Sequence, residues 1–155
     1  DSTLIVRKLC DARVVVAASP QYLAAHGEIV RPEDLCTRDC ILDTNFRDPF
    51  TWQFRDPAGG AALAVPVKGR LRFSSADACL AAAEDGLGVA RAPSFMAGPR
   101  FRDGRLVSLL RDYEDQPLGV HVIYPPGRHL AIKVRVLVDF LGQRFKGQPD
   151  WDQGW

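Results

Sequence analysis

Two hydrophobic rhythms alternate along the chain, and each change of rhythm marks an expected element. Residues 4–9 read as a strand, and a second run from Arg13 ends in the almost unbroken apolar stretch Val14-Val15-Val16-Ala17-Ala18. That stretch predicts a strand buried on both faces, as in a parallel sheet. Ser19-Pro20 then opens a short helix, with serine as N-cap, proline in the first turn and Gly27 at its end. Pro32-Glu33-Asp34-Leu35 starts another helical turn with its acids at the end that favours negative charge. Residues 40–43 and 52–55 read as short strands, and Asp56-Pro57-Ala58-Gly59-Gly60 as the turn of a hairpin. The return arm alternates, with Val65, Val67, Gly69, Leu71 and Phe73 on one side, which predicts a half-exposed edge or antiparallel strand.

Ser74-Ser75 caps a helix whose Ala76, Cys79, Leu80, Ala83 and Leu87 follow the helical period. Gly86 and Gly88 end it and lead into a strand over residues 89–92, followed by a helical turn from Pro93. Residues 104–110 predict a turn and strand, and residues 119–124 the last strand. The last helix is expected over residues 130–145, burying Leu130, Val134, Leu137, Val138 and Leu141. Residues 147–155 have no period and are expected to be loose. Strands alternating with helices across short joints define an α/β class.

Composition narrows the function. With 20 basic and 19 acidic residues the net charge is +1, so the chain lacks the positive field of a duplex-binding surface. No apolar run approaches the ~20 residues of a membrane span, no export signal opens the chain, and no membrane partner is expected. The strand-like opening without an initiator methionine reads as the middle of a longer polypeptide. Cys36 and Cys40 are four apart, wider than a zinc or thioredoxin-type pair, while Cys10 and Cys79 sit in apolar patterns. All four read as structural thiols in a reducing, cytoplasmic setting, with no metal site and no cofactor. His26, His121 and His129 have no carboxylate at a spacing that makes a catalytic or metal pair.

The ordered signatures resemble the effector-binding domain of LysR-type transcriptional regulators. The resemblance runs through Asp1-Ser2-Thr3-Leu4-Ile5-Val6-Arg7-Lys8-Leu9, Ser19-Pro20-x-Tyr22-Leu23-x-x-x-Gly27 and Pro32-Glu33-Asp34-Leu35. It continues through Asp39-Cys40-Ile41-Leu42, Trp52-x-Phe54, Val65-x-Val67-x-Gly69-x-Leu71 and Leu80-Ala81-Ala82-Ala83-x-x-Gly86-Leu87-Gly88. It closes with Gly104-x-Leu106-Val107, Tyr124-Pro125-Pro126-x-x-His129-Leu130, Lys133-Val134-Arg135 and Asp139-Phe140-Leu141. Each piece is weak alone, and the series at these spacings is specific.

The resemblance implies a periplasmic-binding-protein-like fold of two α/β lobes, with a small molecule between them. Residues 17–118 would form the whole second lobe, residues 1–16 and 119–146 the trailing parts of a first lobe, and residues 147–155 a tail. The strands crossing between lobes would fall near Ala17-Ser19 and Leu118-His121. The second lobe is expected to be nearly independent and the first-lobe parts to be the least stable. DNA contact is expected only through an N-terminal helix-turn-helix with no counterpart in these residues. The implied assembly is a homodimer or higher homo-oligomer, with the first strand and last helix at the contact.

Six residues are candidates for a small, anionic effector. Ser74 and Ser75 stand at a helix start, where N–H groups and the dipole favour a carboxylate; they suit capping, ligand contact or both. Thr44 and Asn45 follow the strand of residues 40–43, where the family places cleft residues; a plain turn fits equally. Arg91 interrupts an apolar strand at a position the family usually fills with an apolar residue. Its guanidinium suits a bidentate carboxylate or a simple reach to solvent. Ser19, at an expected crossing, suits ligand or hinge. Trp52 and Phe54 share one face of a strand and read as core.

Two other functions compete with the regulator. A solute-capture protein for transport has the same two-lobed architecture but needs an export signal. An enzyme is not expected, because Gly-x-Ser-x-Gly, His-Glu-x-x-His, phosphate-loop and metal-spacing signatures are all missing from the sequence.

Overall fold

The computed structural model describes residues 4–126 and 131–155. In chain order the strands are β1 (Ile5–Ala12), β2 (Val14–Ala18), β3 (Cys40–Asp43), β4 (Thr51–Arg55), β5 (Ala62–Pro66), β6 (Arg72–Phe73), β7 (Val89–Pro93), β8 (Val107–Leu109) and β9 (Leu118–Tyr124). The helices are α1 (Pro20–His26), α2 (Ala76–Glu84), α3 (Ser94–Arg102) and α4 (Ile132–Arg144), with short 3-10 turns at Pro32–Thr37, Arg111–Tyr113 and Asp150–Asp152. Five strands form the central sheet in the order β6-β3-β7-β2-β8. The hairpin β4–β5 is a separate two-stranded sheet, and so is the antiparallel pair of β1 with β9.

The buried run of β2 is where the sequence predicts it, but its direction differs. It pairs antiparallel with β7 and with β8, while β3 lies parallel to β6 and to β7. Burial on two faces requires only a layer on each side of the sheet, not parallel neighbours. β2 sends Val16 and Ala18 into one layer and Val15 and Ala17 into the other. The first layer is closed by Tyr22, Leu35 and the hairpin residues Trp52, Phe54 and Val65; the second by α2 and α3 through Cys79, Leu80, Ala83, Ala97 and Phe101.

The return arm also differs from a single strand. β5 ends at Pro66, and residues 68–73 leave the hairpin to run along β3: the Cys40 amide donates to the Lys68 carbonyl (2.8 Å) and the Leu42 amide to Leu71 (3.0 Å). The two halves face different layers, Val65 and Val67 the one that holds Trp52, and Leu71 and Phe73 the one covered by α2 and α3. Gly69 makes the transfer possible, since a Cβ there would lie 1.6 Å from the Cys40 carbonyl oxygen.

The expected divide between residues 16 and 17 falls inside β2, whose Val14, Val15 and Val16 belong to the five-stranded sheet. The chain changes sheets at Arg13. On the return, Leu118 pairs with Ala12 as part of β9.

α4 buries Val138 and half-buries Val134 and Leu141, whereas Leu137 is exposed; Leu130 lies outside the described residues. A second apolar row, Ile132, Val136 and Phe140, is exposed, as are Leu4, Ile5, Val6 and Ile123 on the adjoining strands.

Residues 147–155 are packed, contrary to the expectation of a loose tail. Trp155 lies against Phe101 (4.6 Å between ring centroids) and is flanked by the guanidinium groups of Arg13 and Arg111 at 4.6 and 4.5 Å. Trp151 contacts Phe95 and Phe145. Aromatic anchors spaced four apart do not need a hydrophobic period to hold a segment in place.

Candidate functional site

The carboxyl ends of β3, β6 and β7 lie at one edge of the central sheet, the place where open α/β sheets receive ligands. Thr44 and Asn45 follow β3, and Ser74 and Ser75 follow β6, so four of the six candidates meet there. The Thr44 amide and hydroxyl both donate to the Phe73 carbonyl, at 2.9 and 3.2 Å, which brings the two loops together. Asp43 is buried and its Oδ1 accepts from both the amide and side-chain nitrogens of Asn45 at 2.9 Å. Ser75 is the N-cap of α2, its hydroxyl accepting the Ala78 amide at 3.4 Å, and Asp77 adds a negative charge to the first turn. All four candidate side chains are exposed.

Ser19 does not join them. It caps α1 by accepting the Tyr22 amide at 3.2 Å and is buried. Because β2 runs antiparallel to β7, its end lies beside the start of β7, and a Cβ on Gly86 would touch Ser19 Oγ at 3.7 Å. The whole length of β7 separates it from those four candidates, about 13 Å at 3.3 Å per residue. It serves as the N-cap of α1.

Arg91 is the middle residue of β7, two residues before its end, on the face covered by the hairpin. Alternation along β7 sends Ala90 and Ala92 toward the helices, and Val89 and Arg91 toward Trp52 and Phe54. The residue is 8% exposed, and its guanidinium carbon lies 4.1 Å from the ring centroid of Phe46 and 5.3 Å from that of Trp52. Burial lowers its pKa to about 10, with Asp43, Asp48 and Asp115 acting in the opposite direction. The group therefore stays charged at neutral pH. Among the described residues it makes no hydrogen bond or ion pair, and its Nε is buried without a partner.

Arg91 lines a cavity of about 620 Å³ between the hairpin, β2 and the segment leading into β9. Val14, Val16, Phe46, Phe54, Leu110 and Leu118 supply its apolar wall; Arg47, Asp48, Thr51, Gln53, Glu114, Asp115 and Gln116 its polar positions. The neighbouring acids are engaged elsewhere. Glu114 accepts two 2.6 Å hydrogen bonds from Arg13, Asp115 pairs with Arg55 at 3.3 Å, and Asp48 accepts the amides of Phe50 and Thr51. These lining residues were not among the sequence candidates, because their meeting depends on where the hairpin docks. The one sequence signal was the cation breaking the apolar strand at Arg91.

The Cys40 and Cys79 thiols are poor nucleophiles. Burial, aided by Asp39 and Cys36, pushes the Cys40 thiol up to about 12, and burial followed by Asp43 pushes Cys79 up to about 11. His26 stacks on Tyr22 at 4.2 Å and His121 Nδ1 lies 2.9 Å from the Gly119 carbonyl, so both are occupied locally; His129 lies outside the described residues.

An α/β domain with polar loops at its strand ends and a charged, apolar-walled cavity beside them is a small-molecule-binding domain. The chain belongs to the LysR substrate binding domain family, whose sequence model matches residues 1–146. It is 33% identical over 149 residues to the HTH-type transcriptional regulator PtxR of Pseudomonas aeruginosa, covering 96% of this chain and 47% of that protein. The full-length structure of the Vibrio cholerae virulence activator AphB superposes with a TM-score of 0.80 at 28% identity, covering 92% of this chain and 48% of the other. The regulatory domain of CrgA from Neisseria meningitidis gives 0.78 at 27% identity, covering 94% and 70%. The α/β, periplasmic-binding-protein-like architecture expected from the sequence is thus that of LysR-type regulatory domains. The relatives are transcriptional regulators, which favours that class over solute capture. The chain spans about half the length of the curated relatives it matches.

Proposed function

We propose that this chain is the effector-sensing part of a cytoplasmic, DNA-binding LysR-type regulator, and that its effector is a small organic anion. The observation that carries the reading is Arg91, a buried cation without a partner among the described residues, at the wall of a ligand-sized cavity. Thr44, Asn45, Ser74 and Ser75 add hydrogen-bonding groups at the adjoining strand ends. Nothing in this assignment requires catalysis: the domain binds and changes shape, and the change is read by a DNA-binding segment outside these residues.

The division into lobes is part of the proposal. β2 through the Arg111–Tyr113 turn would form a second lobe, and β1, β9 and α4 the trailing parts of a first. The separate pairing of β1 with β9 supports this division. The exposed apolar residues on these three elements fit burial against the rest of a first lobe and against a second copy in a homodimer.

The test is a thermal-shift panel of small organic acids, matched neutral compounds and amines on the 155-residue chain. At least one organic anion is expected to raise the unfolding temperature in a concentration-dependent way, by about 1.4 kcal/mol of stability per tenfold excess over Kd. A panel in which only neutral or cationic compounds stabilise the chain would overturn the anionic effector.

A further inference from the structure

We propose that the cavity beside Arg91 takes a ligand with a single carboxylate on an apolar body. The inference rests on the sensor reading above and adds the chemical class of effector.

The carboxylate follows from the way Arg91 is held. Phe46 and Trp52 pack around the guanidinium, and ring faces accept a cation without satisfying its N–H groups. The donors that remain lie in the guanidinium plane, and a carboxylate takes two of them in parallel. No acid of the chain fills this place among the described residues, and the surrounding carboxylates already have other partners. A buried cation in that condition is incomplete until an anion arrives.

The apolar body follows from the rest of the lining. Val14, Val16, Phe54, Leu110 and Leu118 line the same cavity as Arg91, and their side chains offer a ligand contact area but no hydrogen bond. Phe46 reaches both regions, lying over the guanidinium and lining the cavity.

The limit to one charge follows from the rim. Glu114 and Asp115 are already matched by Arg13 and Arg55, whereas Asp48 lines the same cavity with no ion-pair partner among the described residues, so a second carboxylate bound beside it meets like charge in a partly desolvated space. Asp48 acts as a filter against dicarboxylates, and Arg91 as a filter against neutral analogues.

Three probes on one skeleton separate these statements: phenylacetate, phenylmalonate with a second carboxylate on the same carbon, and phenethyl alcohol with none. Binding is read by isothermal titration at neutral pH and low salt on the full chain. Phenylacetate is expected to bind with Kd of about 1 mM or below, the other two at least about tenfold more weakly. Arg91→Met is expected to weaken phenylacetate by about tenfold or more. The same variant should keep an unfolding temperature no lower than the parent's, because it removes a buried charge without a partner. That pair of results distinguishes a ligand anchor from a residue needed only for folding, since loss of a purely structural group lowers both.

Phenylmalonate binding as tightly as phenylacetate would overturn the single-carboxylate class and leave the sensor reading standing. Phenylacetate binding that Arg91→Met leaves unchanged would place the ligand elsewhere and overturn the proposal. If none of the three probes binds, the proposal falls, and the organic-acid panel decides separately whether the sensor reading falls with it.

Discussion

Replacing Trp52 with alanine is expected to lower the unfolding free energy by about 3–5 kcal/mol, among the largest losses a single core truncation produces. Trp52 is 2% exposed and lies in the layer that also holds Val16, Tyr22, Leu35 and Leu42. Its strand has few other ties. β4 pairs only with β5 among the described residues, and a two-stranded hairpin is marginal unless a hydrophobic face is docked. Trp52 and Phe54 are that face. The same truncation removes one of the two rings beside Arg91, so the guanidinium gains access to water. Urea denaturation should therefore show the stability loss, and titration should show phenylacetate affinity falling in the same variant. A stability loss below about 1 kcal/mol would mean that the hairpin is held by its backbone pairing and not by this side chain.

Trp52 also shows what a one-dimensional pattern can and cannot reveal. Its burial follows from the two-residue spacing with Phe54, because alternate side chains on a strand share a face. Its position over Arg91 does not, because that depends on which sheet the hairpin covers. The central elements were legible for the same local reasons: the N-caps Ser19 and Ser75, the helical period of α2, and the apolar strands β3 and β7 all act within a few residues. Strand direction was not. The Val14–Ala18 run looks the same whether its neighbours run parallel or antiparallel, so the sequence does not reveal that Ser19 lies at the opposite end of the sheet from Thr44 and Ser74. Arg91 marks the boundary between the two kinds of information. A charge inside an apolar strand was visible, while the rings and cavity that give it a use come from distant segments.

Removing residues 147–155 is expected to destabilise the chain by about 2–4 kcal/mol and to loosen α4 before the central sheet. The tail connects two regions that otherwise touch through few groups. On one side Arg144 pairs with Asp150 at 2.5 Å, and Phe145 packs on Trp151. On the other, Arg102 donates to the carbonyls of Asp150 and Gln153, and Trp155 packs on Phe101 between Arg13 and Arg111. Asp152 is buried between them. Without these contacts α4 keeps Val138, its half-buried neighbours and the exposed Arg7–Asp139 pair at 3.2 Å, and an exposed pair contributes at most ~1 kcal/mol. Hydrogen exchange should then show α4, β1 and β9 losing protection by about tenfold or more while β2, β3 and β7 change less. Gly98→Ala offers the same test without shortening the chain. A Cβ there would stand 2.1 Å from the Trp151 carbonyl oxygen, and because that neighbour is backbone, the tail must move rather than the side chain adapt. Unchanged exchange in α4 after both alterations would show that the helix is anchored by β1 and β9 alone. A selective loss would identify the tail as the strap that keeps these flanking elements from being as weak as their exposed apolar faces predict.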